Sequence, residues 1–208
     1  MEARKAKHGW IWTTLFSVIS VAWVFPIFLV VLNSFKKKVY ISKKPFAIST
    51  GKMFVGLENY VNGINKTGLI SAFGWSVFIT VFSVAAIILF CSMTAWYITR
   101  VKSKVTSTIY YLCLFSMIVP FQMVMYTLSK IANMLKLGNP VGIIVVYLGF
   151  GAGLSVFMFT GFCKSIPIEI EEAAMIDGCN PLQTFFNVVM PIMKPTCITV
   201  TILQAMWI

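Results

Sequence analysis

Four long runs of uncharged residues constrain this chain more than any other feature of its sequence. Each run is longer than the roughly 20 apolar residues that a helix needs to cross the hydrocarbon core of a bilayer. A helix satisfies its own backbone hydrogen bonds in lipid, where water is not available to do so. The sequence therefore predicts an all-α, polytopic membrane protein. The runs, which contain no Asp, Glu, Lys, Arg or His, cover residues 10–32, 71–98, 106–128 and 141–163.

Overall composition supports the same class. Hydrophobic residues make up 59% of the chain and charged residues only 11%, and a water-soluble domain with that balance would expose large apolar patches. Trp96 and Tyr97 close the second run, where aromatic side chains commonly lie at the membrane interface. We expect residues 1–9 to form a short cytoplasmic tail and residues 10–208 to form one transmembrane domain.

A fifth apolar run begins near Thr196 and continues to Ile208. At about 1.5 Å per residue, a helix over residues 196–208 is too short to cross a core about 30 Å thick. We therefore expect about five spans, with the last one truncated and a C-terminal part of the protein missing from the sequence.

Two features inside the runs predict local geometry. Pro120 is expected to kink the third span, since proline removes a backbone donor that neighbouring groups must compensate. Gly149, Gly151 and Gly153 are expected to let another helix pack closely against the fourth span.

The distribution of Lys and Arg does not decide the orientation. With a cytoplasmic N-terminus, eight of these residues fall on the inner side and nine on the outer side. The density of basic residues in the tight turn over 99–105 favours the cytoplasmic N-terminus. The net charge of +11 indicates attraction to anionic lipid headgroups, because no aromatic-interleaved basic patch typical of nucleic-acid binding accompanies it.

The sequence predicts no catalytic, metal or cofactor site. The five cysteines are scattered without a CxxC pair, and His8 is the only histidine. Most of the cysteines lie in or beside apolar runs, where Cys behaves as a small hydrophobe. The chain lacks a GxxxxGK[ST] phosphate loop, and its spans lack the carboxylates and histidines on which ion-coupled carriers rely. We therefore expect a non-enzymatic chain that depends on a partner for energy.

Residues 165–191 concentrate negative charge between the fourth and fifth apolar runs. A membrane protein that gathers its acidic side chains in one loop is predicted to present that loop to another molecule. The alternative is a hairpin that packs only against lipid, but anionic headgroups would repel an acidic helix. The segment holds four of the six acidic residues, namely Glu169, Glu171, Glu172 and Asp177.

The same segment carries the start and stop signals of two short helices. Pro167 suits the first turn of the first helix, and Gly178 can end it in the left-handed conformation. Asn180 is the predicted N-cap of the second helix, with Pro181 at its first position and Gln183 as its capping-box partner.

The two helices are expected to present different faces. Ala173 and Ala174 permit close approach by another protein surface, and the neighbouring Glu172 can pair with an arginine there. The second helix can anchor the segment to the rest of the protein through an apolar stripe, and Pro191 and Pro195 are expected to break this helix before the next span. The stripe consists of Leu182, Phe185, Phe186 and Val189.

The spacing within this segment resembles the EAA loop of ATP-binding-cassette (ABC) importer permeases. That loop reads Glu-Ala-Ala, three residues, Gly, nine residues, then Ile, any residue, Leu and Pro. Here Glu172-Ala173-Ala174 is followed at the same spacing by Gly178 and by Val188-Val189-Met190-Pro191. Val188 in place of Ile and Met190 in place of Leu keep apolar side chains at both positions.

Further similarities point to the carbohydrate branch of these permeases, in particular to the smaller subunit of maltose-type oligosaccharide importers. Ile166-Pro167 and Ile176-Asp177-Gly178 flank the EAA residues as in that branch. Shorter similarities lie at residues 34–36, 57–60 and 137–139 and at Pro120. That subunit usually has six spans, which agrees with the truncated fifth run.

The resemblance implies a mechanism and a set of partners. The EAA loop would dock as a coupling helix in a groove of a cytoplasmic ATPase dimer, whose closure on ATP would be transmitted to the spans. A second permease subunit and an external solute-binding protein that delivers sugar complete the implied assembly. Its location would be the cell membrane of a prokaryote, with the N-terminus of this chain in the cytoplasm. The implied coupling residues are Glu172, Ala173, Ala174, Asp177, Gly178 and Pro191.

Three other classes of membrane protein are alternatives to this interpretation. The lack of intramembrane charges disfavours a secondary carrier that works alone. The intact EAA spacing disfavours a purely structural membrane scaffold. An importer permease for a non-sugar solute differs only in its cargo, and the sequence identifies neither a particular sugar nor the residues of the substrate path.

Overall fold

The computed structural model describes residues 9–208, which are almost entirely helical. Extended pairing within that range is limited to one isolated bridge between Lys36 and Phe54. The predicted tail over residues 1–9 lies, apart from Gly9, outside the described residues. The helices are α1 (Gly9–Ser34), α2 (Lys38–Lys43), α3 (Glu58–Thr67), α4 (Leu69–Arg100), α5 (Lys104–Ile118), α6 (Phe121–Met134), α7 (Pro140–Cys163), α8 (Ile168–Ile176), α9 (Pro181–Thr184), α10 (Met190–Ile192) and α11 (Lys194–Trp207), with a 3₁₀ turn at Gly51–Met53 and a π-helical turn at Phe185–Val189.

Three helices of the described range are long and apolar enough to cross a membrane on their own, namely α1, α4 and α7. They confirm the first, second and fourth predicted spans. Two bent pairs can each form a further span: α5 with α6, bent by 110°, and Pro181–Ile192 with α11, bent by 76°. When each bent pair is counted as one crossing, the total is the five spans expected from the sequence.

The third span departs from the continuous, kinked helix predicted over 106–128. α5 ends at Ile118 and α6 begins at Phe121, and the two residues between them, Val119 and Pro120, have extended backbones with ψ of 116° and 134°. Proline disfavours the helical conformation for the residue before it. The chain therefore leaves the helix at Val119, and Pro120 becomes the N-cap of α6 rather than a kink inside one helix.

The chain divides into two compact units, Met1–Ala72 and Phe73–Ile208. In the first unit, hydrogen bonds join the start of α3 to the chain that leaves α1. Nδ2 of Asn59 donates to the backbone carbonyl oxygens of Ser34 and Lys36, both at 2.8 Å. The sequence similarities at residues 34–36 and 57–60 therefore lie in two segments that contact each other.

A buried lysine organises the rest of this loop. The side chain of Lys36 is fully buried, which is unusual for lysine. Its Nζ donates to Oδ1 of Asn33 at 2.9 Å and to the carbonyl oxygens of Lys44 and Pro45, both at 3.0 Å. An ammonium group has three N–H donors, so these three acceptors match its full capacity.

The core of the second unit lies between α4, α7 and the helical segments that follow α8. Side chains from these helices interlock, with no acidic or basic residue among the members of the apolar cluster. The cluster comprises Ile87, Cys91 and Ala95 from α4; Val156, Phe159 and Cys163 from α7; Ile166; and Phe185, Val189, Met193 and Val200 from the C-terminal segments.

Glycines on α7 allow its close contacts within this unit. A Cβ atom at Gly151 would lie 2.5 Å from Cδ1 of Ile87 on α4 and 3.1 Å from Oε1 of Gln204 on α11. A Cβ at Gly153 would lie 2.6 Å from a side-chain oxygen of α5. These two positions confirm the predicted close packing, whereas a Cβ at Gly149 would meet open space, so the prediction is wrong at that position.

Candidate functional site

The acidic segment folds into two helical stretches joined by a left-handed turn. α8 begins one residue later than expected, because Pro167 occupies the N-cap position rather than the first turn. The helix ends as predicted at Gly178, whose φ of +91° lies in the left-handed region. The N–H of Gly178 donates to the carbonyl of Met175 at 3.1 Å, and the N–H of Cys179 donates to that of Ala174 at 3.0 Å. This pair of bonds is a Schellman ending, which glycine adopts without steric cost.

The second helix begins with the capping box expected from the sequence. Oδ1 of Asn180 accepts from the backbone N–H of Gln183, and Oε1 of Gln183 accepts from the backbone N–H of Asn180, both at 2.9 Å. Pro181 occupies the first helical position, where its missing N–H leaves no bond unmade. The start of this helix is therefore set by residues within four positions of one another.

The helical stretch that begins at Pro181 ends at Ile192, and the chain bends by 76° before α11 begins at Lys194. The break therefore lies between Pro191 and Pro195, the two prolines expected to cause it. Helical backbone continues from Pro181 to Ile192 through the π-helical turn, in which the N–H of Met190 donates to the carbonyl of Phe185, five residues earlier. Proline cannot donate a backbone hydrogen bond and its ring crowds the preceding turn. The wider π turn immediately before Pro191 accommodates the proline, so the helical backbone continues one residue further, to Ile192.

The apolar stripe predicted for this helix divides between two environments. Phe185 and Val189 are fully buried, whereas the side chains of Leu182 and Phe186 are 58% and 46% exposed. Thr184 is buried in their place. In a membrane protein, lipid accepts apolar side chains as readily as a packed core does, so an apolar stripe alone does not identify the packed face.

The free side of α8 carries the residues predicted to face a partner. Glu172, Ala173 and Asp177 are exposed there, as is Gly178 in the turn that follows. Ala174 is half-buried, and Pro191 is exposed on the later helical stretch. The structure thus leaves the predicted residues accessible to another protein, with Ala174 at the margin of that surface.

Glu171 differs from its acidic neighbours in a way that the sequence does not reveal. Its side chain is buried in a contact with the C-terminal end of α4. Oε1 accepts from Nε and Nη2 of Arg100 at 2.9 and 2.6 Å, and Oε2 accepts from Nε1 of Trp96 at 2.9 Å. Nη2 of Arg100 also donates to the carbonyl of Ile166 at 3.0 Å. We call Trp96, Arg100 and Glu171 the bracket, because they fasten α8 to α4.

The bracket also reaches the second helical stretch. The ring of Trp96 packs on that of Phe185, with centroids 5.4 Å apart and planes tilted by 44°. Arg100 lies in the last turn of α4 and Glu171 in the first turn of α8, so each charge is stabilised by the dipole of its own helix. The side chain of Trp96 on α4 therefore contacts both helical parts of the acidic segment.

A sequence signal for the bracket existed. Arg100 is the charged residue that ends a long apolar helix, and Trp96 precedes it by one helical turn, so both side chains share a face of α4. A charge at such a position commonly has a partner when the helix end is covered by protein. The neighbouring Glu171 and Glu172 are chemically identical, however, and only the packing of α8 shows which of them turns inward.

The bracket links the position of α8 to that of α4. Among residues 9–208, no group of three or more His, Cys, Asp or Glu side chains is arranged to hold a metal ion. A displacement of α8 would act directly on the end of α4 through two charge-assisted hydrogen bonds, which are stronger than neutral ones. The same displacement would reach the core through Phe185.

The family model for inner membrane components of binding-protein-dependent transport systems matches residues 92–208. That range contains the bracket and the whole acidic segment, and it covers more than half of the chain. The chain belongs to this family. Membership identifies it as a permease component and a multi-pass membrane protein, as the sequence predicted.

Individual relatives support the assignment. The probable starch degradation products transport system permease protein AmyC of Thermoanaerobacterium thermosulfurigenes is 37% identical over 94% of this chain and 70% of its own length. The multiple sugar-binding transport system permease protein MsmG of Streptococcus mutans is 31% identical over 98% of this chain and 74% of its own. A crystal structure of a bacterial ABC transporter involved in import of the acidic polysaccharide alginate includes a chain that matches with a TM-score of 0.75. The match has 21% identity and covers 99% of this chain and 72% of that one. That likeness confirms the fold of an ABC importer permease.

Proposed function

We propose that this chain is a transmembrane permease subunit of an ATP-driven importer for sugars or oligosaccharides. The observation that carries the proposal is the similarity, over nearly all of the chain, to permeases named for starch degradation products and for multiple sugars. The sugar itself is not specified by these relatives, because their named cargoes differ.

ATP hydrolysis belongs to a separate cytoplasmic subunit in this proposal. The exposed side of α8, with Glu172, Ala173 and Asp177, docks in a groove of that ATPase. The small side chains of Ala173 and Ala174 allow close approach, and the carboxylate of Glu172 pairs with a basic residue of the partner. Gly178 sets the angle between α8 and the helical stretch that follows, and Pro191 lies at the far end of that stretch.

The bracket supports a route from the ATPase to the spans. When the ATPase dimer closes on ATP, α8 moves with its groove. Arg100 and Trp96 convey this movement to α4, which is long enough to cross the membrane. A packed core transmits such a displacement because it is close to crystalline in density.

The contact between Arg100 and Glu171 also supports the proposed topology. It requires the end of α4 and the acidic segment to lie on the same side of the membrane. If the N-terminus lay outside, the four crossings before the acidic segment would place that segment outside as well, away from a cytoplasmic ATPase. With a cytoplasmic N-terminus and the bent pair of α5 and α6 counted as one span, both lie in the cytoplasm, where an ATPase resides. The remaining proposed partners are a second permease subunit in the cell membrane of a prokaryote and an external solute-binding protein.

The test is isolation of the tagged permease from membranes of its source organism in mild detergent. We expect an ATPase and a second permease to co-purify, and oligosaccharide with its binding protein to stimulate ATP hydrolysis in proteoliposomes. Glu172→Lys should lower ATPase recovery at least about tenfold, since reversal of a paired charge costs more than about 1.4 kcal/mol. Glu58→Lys, the same charge change on the exposed face of α3, is the matched control.

Two results would contradict the proposal. A chain that transports sugar while isolated without an ATPase would be a secondary carrier. Equal ATPase recovery for Glu172→Lys and Glu58→Lys would remove α8 from the docking surface. Stimulation by a non-sugar solute in place of oligosaccharide would keep the coupling and correct the cargo.

A further inference from the structure

A cavity of about 1040 Å³ opens beside the bracket, in the second unit. Its walls come from the end of α4, the turn from α4 to α5, the first turns of α5 and the end of α7. It is distinct from the exposed face of α8 that we assign to the ATPase. The proposed coupling mechanism does not use the cavity.

Four of the thirteen residues that line the cavity are basic. Arg100, Lys102, Lys104 and Lys164 all line it, and no acidic residue does. Within residues 9–208, Arg100 is paired with Glu171, and the three lysines form no salt bridge. The three lysines therefore place positive charge around one cavity without an acidic partner, and a bound anion would be attracted to them.

Polar groups accompany the positive charge. Nζ of Lys164 lies 5.6 Å from the ring centroid of Tyr110, a distance at which a cation is attracted to an aromatic face. Thr160 also lines the cavity, and its hydroxyl oxygen is buried without a hydrogen-bond partner among the described residues. Hydroxyls of Ser107 and Tyr111 complete a lining that can donate to phosphate oxygens.

The position of the cavity relative to the spans favours a lipid ligand. α4 and α7 are both long and apolar enough to cross the membrane. Their C-terminal ends meet here, because Arg100 donates to the carbonyl of Ile166 just beyond α7. The ends of two spanning helices lie at the level of the headgroups. Basic pockets between helices at that level are sites for anionic headgroups.

An apolar surface leads from the cavity along α5. Tyr111, Phe115 and Ile118 recur at intervals of four and three residues, so they share one face of the helix. Their side chains are 66%, 63% and 76% exposed. An acyl chain of a lipid would fit along this stripe, whereas a soluble phosphate compound has no acyl chain to place there.

We propose that the cavity binds the phosphate headgroup of an anionic phospholipid from the cytoplasmic leaflet, with an acyl chain along the α5 stripe. Lys102, Lys104 and Lys164 contact the phosphate, and the hydroxyl groups orient it. The phosphate group is the recognised chemistry, and the stripe assigns it to a lipid rather than to a soluble phosphate.

The test uses the transporter complex purified from its own membranes and exchanged into mixed micelles of phosphatidylglycerol and phosphatidylcholine. Native mass spectrometry counts the retained lipids. We expect preferential retention of phosphatidylglycerol, reduced at least about tenfold when Lys102, Lys104 and Lys164 are all changed to Gln. Each basic residue near an anionic surface contributes roughly fivefold to affinity. A matched control changes Lys37, Lys38 and Lys43 to Gln in the first unit and removes the same charge.

Each of the following outcomes would overturn the proposal. Equal loss in the cavity variant and the control variant, or equal retention of the two lipids by the unmodified complex, would overturn it. Displacement of the lipid by inorganic phosphate at millimolar concentration would assign the cavity to a soluble anion and also overturn it. If the triple variant does not assemble, Lys102→Gln, Lys104→Gln and Lys164→Gln are measured singly, and an unchanged retention in all three contradicts the proposal.

Discussion

Replacing Glu171 with alanine tests the bracket most directly. The substitution removes the carboxylate that accepts three hydrogen bonds from Arg100 and Trp96. Breaking a buried ion pair by removing one partner costs roughly 3–5 kcal/mol. The side chain of Arg100 is 18% exposed, so water compensates part of the loss and places the expected cost near about 3 kcal/mol.

The cost should appear as local opening of α8 rather than as global unfolding. Since about 1.4 kcal/mol corresponds to a factor of ten in an equilibrium constant, amide hydrogen exchange within α8 should accelerate by roughly 100-fold. The exchange rates of the α7 amides around Phe159 should change little, because Phe159 is not part of the bracket. Exchange measured by mass spectrometry on peptides covering α8 and α7 separates the two regions.

Neighbouring substitutions make the experiment specific. Glu172→Ala removes the same group from an exposed position and should change stability by no more than about 0.5 kcal/mol. Glu171→Gln keeps the shape and one acceptor oxygen, so it should accelerate exchange by an intermediate amount. If exchange in Glu171→Ala is no faster than in Glu172→Ala, α8 is held by other contacts, and the bracket does not transmit force.

Three further predictions address other parts of the chain. Gly178→Val should weaken α8 docking, because a β-branched residue adopts φ of +91° only with strain of about 1–3 kcal/mol; ATPase recovery normal for this variant would show that the turn angle is unimportant. Gly151→Ala should lower the thermal stability of the purified permease by about 1–3 kcal/mol through overpacking, whereas Gly149→Ala should be neutral, and equal unfolding temperatures would refute the packing assignment. In a background without cysteines, a cysteine at Asn62 should react with an impermeant label from outside and one at Asp177 only after permeabilisation; external labelling at Asp177 would invert the topology.

Local signals in the sequence account for much of the acidic segment. The capping box of Asn180 and Gln183 involves residues three positions apart, so the pattern alone is sufficient to predict it. The left-handed turn at Gly178 depends on the absence of a Cβ at one position. Pro120 was correctly placed as a disruption, but the size of the bend depends on how α5 and α6 pack, which a local signal does not contain.

Features that depend on distant partners were not predictable in the same way. Glu171 and Glu172 are adjacent and equivalent in charge, and their separation into a buried and an exposed residue depends on Arg100, 71 residues earlier. The burial of Phe185 rather than Phe186 likewise depends on where Trp96 packs. In a bilayer, hydrophobicity does not distinguish a packed helix face from a lipid-facing one. It therefore did not predict which side chains of this helix are buried.

The buried Lys36 of the first unit has a consequence for how its loop is built. Its ammonium joins Asn33 at the end of α1 to Lys44 and Pro45 beyond α2, as a cross-link would. Such a non-covalent staple restricts the open states of the loop without oxidation of any cysteine. It also depends on three donors radiating from one nitrogen, and the planar guanidinium of arginine presents its donors in a different geometry. Retaining positive charge at this position would therefore not be enough to retain the loop.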